Sequence, residues 1–92
     1  MRVSKDSNIG AVAGALAGSL RSMSPGEEVT LEAIGIGATY QAVKSLVMAN
    51  GFMEQDKVKV VSYVTHELRK IGDQERTAFV FHVTGVPYED KE

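Results

Sequence analysis

Gly35 and Gly37 stand where an alternating stretch gives way to a helical one, in Glu32-Ala33-Ile34-Gly35-Ile36-Gly37-Ala38-Thr39-Tyr40-Gln41-Ala42-Val43-Lys44. Glycine at such a corner lets the backbone turn sharply and lets another group approach its amides closely. The first turn of the helix that follows carries N–H groups without intrahelical partners, so the corner is suited to an anion. The dinucleotide fingerprint G-x-G-x-x-G is not met, because Tyr40 holds the place of the third glycine. Two readings follow. The plain one is a tight strand-to-helix turn; the chemical one is contact with a phosphate, of a nucleic acid or of a small anion. Basic side chains that could serve the second reading gather further on, at Arg69, Lys70 and Arg76.

Other chemistry is thin. His82 lies among apolar residues of an extended stretch, where a packed interface histidine is the plain reading. His66 neighbours Glu67, but adjacent residues of a strand point to opposite faces. The serines lack the G-x-S-x-G context of a nucleophile elbow. There is no cysteine and no metal-ligand spacing. The expectation is a protein that is not an enzyme, with no cofactor, no metal and no small-molecule substrate.

The 92 residues carry a net charge of −2 and are 43% hydrophobic and 24% charged, the composition of one ordinary globular domain. A strong nucleic-acid binder usually carries a basic excess, so local charge must do the work if the chain binds one. No apolar run is long enough for a membrane span, and Met1–Asp6 lacks the apolar segment of a signal peptide. The expected compartment is the cytoplasm, with no membrane partner. Residues 1–86 read as a single domain, and 87–92 as a short tail loaded with Glu89, Asp90 and Glu92.

The elements that must position the corner follow from periodicity. Arg2–Lys5 reads as a short strand. Asp6, Ser7 and Asn8 are all helix-capping types. A helix is predicted from Ile9 to Ser22 with Ile9, Val12, Ala13, Leu16 and Leu20 as its apolar stripe. Gly10, Gly14 and Gly18 recur on an adjacent face and suggest close backbone packing, within the domain or against another subunit. After the Ser24-Pro25-Gly26 turn, Val29, Leu31 and Ala33 alternate with Glu28, Thr30 and Glu32 as in a half-buried strand. A second helix runs from Ala38 to about Asn50, with Ala42, Val43, Leu46, Val47, Ala49 and Asn50 on its apolar side, Lys44 and Ser45 in water, and Gly51 as a left-handed stop. A third strand spans Lys57 to about Thr65 and a fourth Arg76 to Val86, with Gly72-Asp73 as the tip between them.

The order strand, helix, strand, helix, strand, strand predicts an α+β two-layer sandwich of βαβαββ type. Right-handed crossovers place both helices on one face of a four-stranded mixed sheet. The last two strands are apolar on both sides, and a small two-layer domain has nothing to cover the second side. A homodimer or higher oligomer is therefore expected, through Val61, Tyr63, Val80 and His82.

Three segments together resemble the stage V sporulation protein S family: Ala11-Val12-Ala13-Gly14-Ala15-Leu16-Ala17-Gly18-Ser19-Leu20-Arg21, then Ala33-Ile34-Gly35 through Gln41-Ala42-Val43-Lys44, and Glu75-Arg76-Thr77-Ala78. That family is similar in turn to the Alba chromatin proteins. The resemblance implies an Alba-like fold and a regulatory, dimeric domain that binds DNA or RNA. It implies phosphate contacts at Lys5, which lies where Alba lysines precede the first helix, at the Gly35–Gly37 corner, and at Arg69, Lys70 and Arg76 in or beside the hairpin. Ile34 and Ile36 replace arginines of the Alba corner, and Gln41 stands where a lysine is frequent. Those replacements, with the −2 charge, support a competing expectation: a protein-interaction or scaffolding dimer in sporulation or cell development.

Overall fold

The alternation in Val29–Ile34 gives that strand two unlike faces, and the whole sheet inherits them. The computed structural model describes residues 1–24 and 26–88; Pro25 of the expected turn and the acidic residues of the expected tail lie outside the described residues. The elements are β1 (Arg2–Val3), α1 (Ile9–Ser22), β2 (Val29–Ile34), α2 (Ile36–Met53), a 3-10 turn (Glu54–Asp56), β3 (Val58–Ile71) and β4 (Gln74–Pro87). The sheet order is β1-β2-β4-β3. β1 runs parallel to β2, while β4 pairs antiparallel with both β2 and β3. This is the βαβαββ, α+β architecture that the periodicity predicts.

Leu31 and Ala33 of β2 are fully buried, and the register sets Phe81 and Phe79 of β4 beside them on the same face. Val3, with Ala13, Leu16, Ala17 and Leu20 of α1 and Ala38, Ala42, Ala49 and Met53 of α2, joins that core. Each large side chain so buried contributes about 1.5–3 kcal/mol. Glu28, Thr30 and Glu32 face the other way, as the alternation requires.

Four expectations change. First, α2 is rotated from the orientation its bulky residues suggest. Ala42 and Ala49 are buried and Leu46 packs against the core as expected, but Ala38, Ser45 and Met53 complete the buried stripe while Val43 and Val47 are exposed. Small side chains let α2 approach α1 closely, and volume outweighs hydrophobicity in the choice of inner stripe. Ser45 is fully buried, not in water, and its hydroxyl donates to the Gln41 carbonyl at 2.8 Å. Second, α2 runs through Gly51 to Met53, and the left-handed residue is Lys57 (φ 58°), after the 3-10 turn. Third, the glycines of α1 face solvent; a Cβ added at Gly14 or Gly18 meets nothing within 4 Å. The close contact is made instead by Ala13 and Ala17.

Fourth, residues 66–71 and 74–75 are strand, not loop. β3 and β4 stay paired from Val58↔Pro87 to Ile71↔Gln74. The two-residue turn has Gly72 at φ 62° and no positive φ at Asp73, the type II′ pattern that matches strand twist. β2 stops at Ile34↔Ala78, so the hairpin continues beyond it as a two-stranded arm, and the molecule measures 56 × 24 × 21 Å.

Candidate nucleic-acid interface

Parallel pairing of β1 with β2 brings their carboxyl ends side by side, at Val3↔Ala33. The crevice beyond the carboxyl ends of such strands is where α/β sheets bind ligands. Here it is an open cleft walled by Arg2, Ser4 and Lys5 on one side, Arg76 on the other, and Gly35–Ala38 at the base. Gly35 caps α2 with φ 94° and ψ 163°, a conformation that side chains rarely tolerate. Its carbonyl accepts from the Thr39 N–H at 3.0 Å and from Thr39 Oγ1 at 2.7 Å. No side chain caps α2 among the described residues, so its first-turn amides are left for water or a ligand.

Gly37 is needed for close approach as well, whereas at Gly35 the backbone conformation is the constraint. A Cβ on Gly37 would lie 2.8 Å from the Cβ of Lys5, and one on Gly35 would lie 3.2 Å from Arg76 Nη2. The fold thus brings Lys5, Gly35, Gly37 and Arg76 to one place. The segment carrying Lys5 is held from several sides. The Ser4 N–H donates to Ser7 Oγ (2.9 Å), Asn8 Oδ1 accepts the Ala11 N–H (2.9 Å) as the α1 cap, and Gln41 Nε2 on α2 donates to the Ser7 carbonyl (3.0 Å). Among the three capping candidates, Asn8 makes the cap. Gln41 thereby positions the segment that carries Lys5.

Arg69 and Lys70 are not brought to the cleft as a pair. Neighbours in a strand point oppositely, so Arg69 faces away from the helices with its register partner Arg76, and Lys70 faces the other side with Glu75. Arg69 reaches across β4 to Glu32 with two bonds, at 3.0 and 2.6 Å, and also donates to Glu67 at 2.6 Å. Glu67 first, and then Glu32, hold its pKa above the usual arginine value. Glu32 also takes Arg2 at 3.3 Å.

Val61, Tyr63, Val80 and His82 do share one face, the one away from the helices, through Tyr63↔His82 and Thr65↔Val80. Val80 is only 9% exposed within the single chain. His82 stacks on Tyr63 (centroids 4.4 Å apart, planes 3° apart), and its Nδ1 meets Glu28 Oε1 and its Nε2 meets Thr65 Oγ1, both at 2.8 Å. With the Glu28 carboxylate as acceptor, Nδ1 carries the proton and Nε2 accepts from Thr65. Both ring nitrogens of His82 thereby have partners within one chain.

The large exposed apolar side chains lie elsewhere. Ile36, Tyr40, Val43 and Val47 form an outer stripe on α2, and Phe79, Val64 and Leu68 lie on the helix-side face of the hairpin. Lys44 Nζ sits 5.2 Å from the centre of the Tyr40 ring. The 4-3-4 spacing of the α2 stripe was visible in the sequence; which of two stripes faced inward was not.

Fold and cleft together define the class: a small α+β domain with a glycine-floored, cationic cleft beyond the carboxyl ends of its parallel strands. The family model for Stage V sporulation protein S (SpoVS) matches residues 1–86. The chain belongs to that family, and is accordingly a sporulation-related protein. Among the described residues no helix is long and apolar enough to cross a membrane.

Proposed function

We propose that this protein is a regulatory, Alba-like nucleic-acid-binding protein whose phosphate-contacting surface is the cleft between Lys5 and Arg76. The observation that carries the reading is convergence. Two cations remote in sequence line one cleft at the uncapped start of α2, where Gly35 holds a positive φ and Gly37 lets the Lys5 segment approach. Backbone amides, helix dipole and two cations act on the same small volume, the combination that favours a phosphate. Local charge of this kind operates despite a net charge of −2. Contacts to phosphate position a protein and read little sequence, so binding is expected to tolerate many sequences. Arg69 and Lys70 extend the surface along the hairpin, but Arg69 must first leave Glu32 and Glu67.

The test is a titration of duplex DNA, single-stranded DNA and RNA at several salt concentrations. Lys5→Ala with Arg76→Ala should weaken binding to all sequences alike and lower the salt slope by roughly 2, one for each lost phosphate contact. Arg69→Ala should change the slope far less than Arg76→Ala. Absence of binding at low salt, or a double variant with the parent's affinity and slope, overturns the proposal. The second reading, a protein-interaction dimer, draws on the 91% exposure of Ile36 at the mouth of the cleft. An apolar residue there favours protein contact over phosphate, and absence of binding at low salt would favour that reading.

A further inference from the structure

The cations around the base of the hairpin arm are not all in the same state. Lys5 and Arg76, which wall the cleft, have no ion-pair partner among the described residues. Arg2 and Arg69 are both held by one carboxylate, Glu32, on the face of the sheet away from the helices. The two holds differ. Arg2 makes a single contact of 3.3 Å, and its side chain is 74% exposed. Arg69 crosses β4 and engages both oxygens, Nη1 donating to Oε1 at 3.0 Å and Nη2 to Oε2 at 2.6 Å. Glu67 Oε2 accepts a further bond from Nη2 at 2.6 Å. The planar fork of a guanidinium fits two oxygens of a carboxylate or of a phosphate in the same way. Glu32 therefore stands where two phosphate oxygens would stand. Arg69 is also next to the cleft wall, because its register partner is Arg76 and such partners lie about 4.5–5.5 Å apart at their Cα atoms.

We propose that Arg69 is a second phosphate site beside the cleft, closed in the free protein by Glu32, whose carboxylate takes the place of the phosphate. The proposal rests on the nucleic-acid reading and deepens it, since it names the residue that limits affinity. A backbone seated in the cleft brings a neighbouring phosphate to the Arg69 fork. Arg69 then exchanges Glu32 for that phosphate. The Glu32 side chain, only 19% exposed, is not left unpaired, because Arg2 stays beside it as counter-ion. The exchange gives up charge-assisted bonds to make similar ones, so the net gain is small and the protein binds more weakly than its cations alone would allow. A lone anion in solution has nothing to offset that loss. A phosphate tethered to one already in the cleft has a high effective concentration at Arg69. The closed site thus favours a continuous phosphodiester chain over isolated phosphates.

The experiment compares the parent with Glu32→Gln, Arg69→Ala, the two combined, and Glu28→Gln. Duplex DNA, single-stranded DNA and RNA are each titrated at several salt concentrations, and thermal melts check that every variant is folded. Glu28→Gln is the charge control: it removes the same charge from the same face, but Glu28 bonds to His82 and not to an arginine. Glu32→Gln should bind about 5-fold or more tighter than the parent at low salt, with a salt slope steeper by about 1 for the added phosphate contact. That gain should vanish when Arg69→Ala is combined with it. Glu28→Gln should change affinity less than about 2-fold, since its charge is remote from the fork and screened. A Glu32→Gln variant that binds no better than the parent or than Glu28→Gln overturns the proposal and leaves the cleft standing. So does a gain that survives the loss of Arg69. A parent that binds none of the three nucleic acids at low salt overturns the cleft reading and this proposal with it.

Discussion

Replacing Gly14 and Gly18 together by alanine should stabilise the protein. Both lie inside α1, both are exposed, and neither has a positive φ. A Cβ at either position meets nothing within 4 Å, so there is no steric term to oppose the gain. Alanine is better than glycine in a helix interior by about 1 kcal/mol, largely because glycine loses more backbone freedom on folding. The two sites share no partner, so the gains should add to about 2 kcal/mol. In a domain of this size 1 kcal/mol shifts Tm by roughly 4–8 °C, which puts the double variant roughly 8–16 °C above the parent. Gly10→Ala is the internal control. Its Cβ would stand 3.3 Å from Asn8 Oδ1, the atom that caps α1, so part of the propensity gain is lost to a disturbed cap. Thermal and urea melts at one fixed protein concentration provide the readout. A double variant that melts at or below the parent would refute the reasoning. It would mean that the glycine face of α1 is in close contact with something, as the Gly10-Gly14-Gly18 repeat suggests.

Gly37→Ala should act in the opposite sense. Its Cβ would sit 2.8 Å from the Cβ of Lys5, a rigid part of that side chain, so the Lys5 segment must move. Overpacking costs about 1–3 kcal/mol and helix propensity returns at most about 1, so melting should show a net loss near 1 kcal/mol. The displaced Lys5 should lower the salt slope of nucleic-acid binding by about 1 in the same variant. Leu16→Ala, at a fully buried position of the core, should cost about 2–5 kcal/mol in urea melts. An effect under ~1 kcal/mol would mean that the packing around Leu16 collapses to fill the space.

The elements were legible because their causes are local. Alternation at Val29–Ile34 made β2, and the glycine pair set the corner before α2. The tip at Gly72-Asp73 was also readable, yet the strands beside it extend further than their polar residues suggest. His66 to Ile71 remain strand because β4 provides a hydrogen-bonding partner along their whole length, a benefit that composition does not register. The site was legible in part. Gly35 and Gly37 were recognisable as places of close approach, and Lys5 entered only through family resemblance. The capture of Arg69 by Glu32 depends on a contact across β4 that sequence spacing cannot display.

What the sequence by itself determined is the order of elements, the side of β2 that faces the core, and the presence of an uncapped glycine corner. These follow from period-2 and period-3.6 patterns and from the chemistry of glycine, which act within a few residues. Tertiary structure decided which stripe of α2 is inside, because close helix packing selects Ala38, Ala42, Ser45 and Ala49 by volume, and leaves the larger Ile36, Tyr40, Val43 and Val47 outside. It also decided which cations act together. Parallel pairing of β1 with β2 and the register of β4 bring Lys5 and Arg76 to the Gly35–Gly37 corner, while the same register gives Arg69 to Glu32. Both outcomes are set by shape and by contacts between residues far apart in the chain, and no local pattern carries that information.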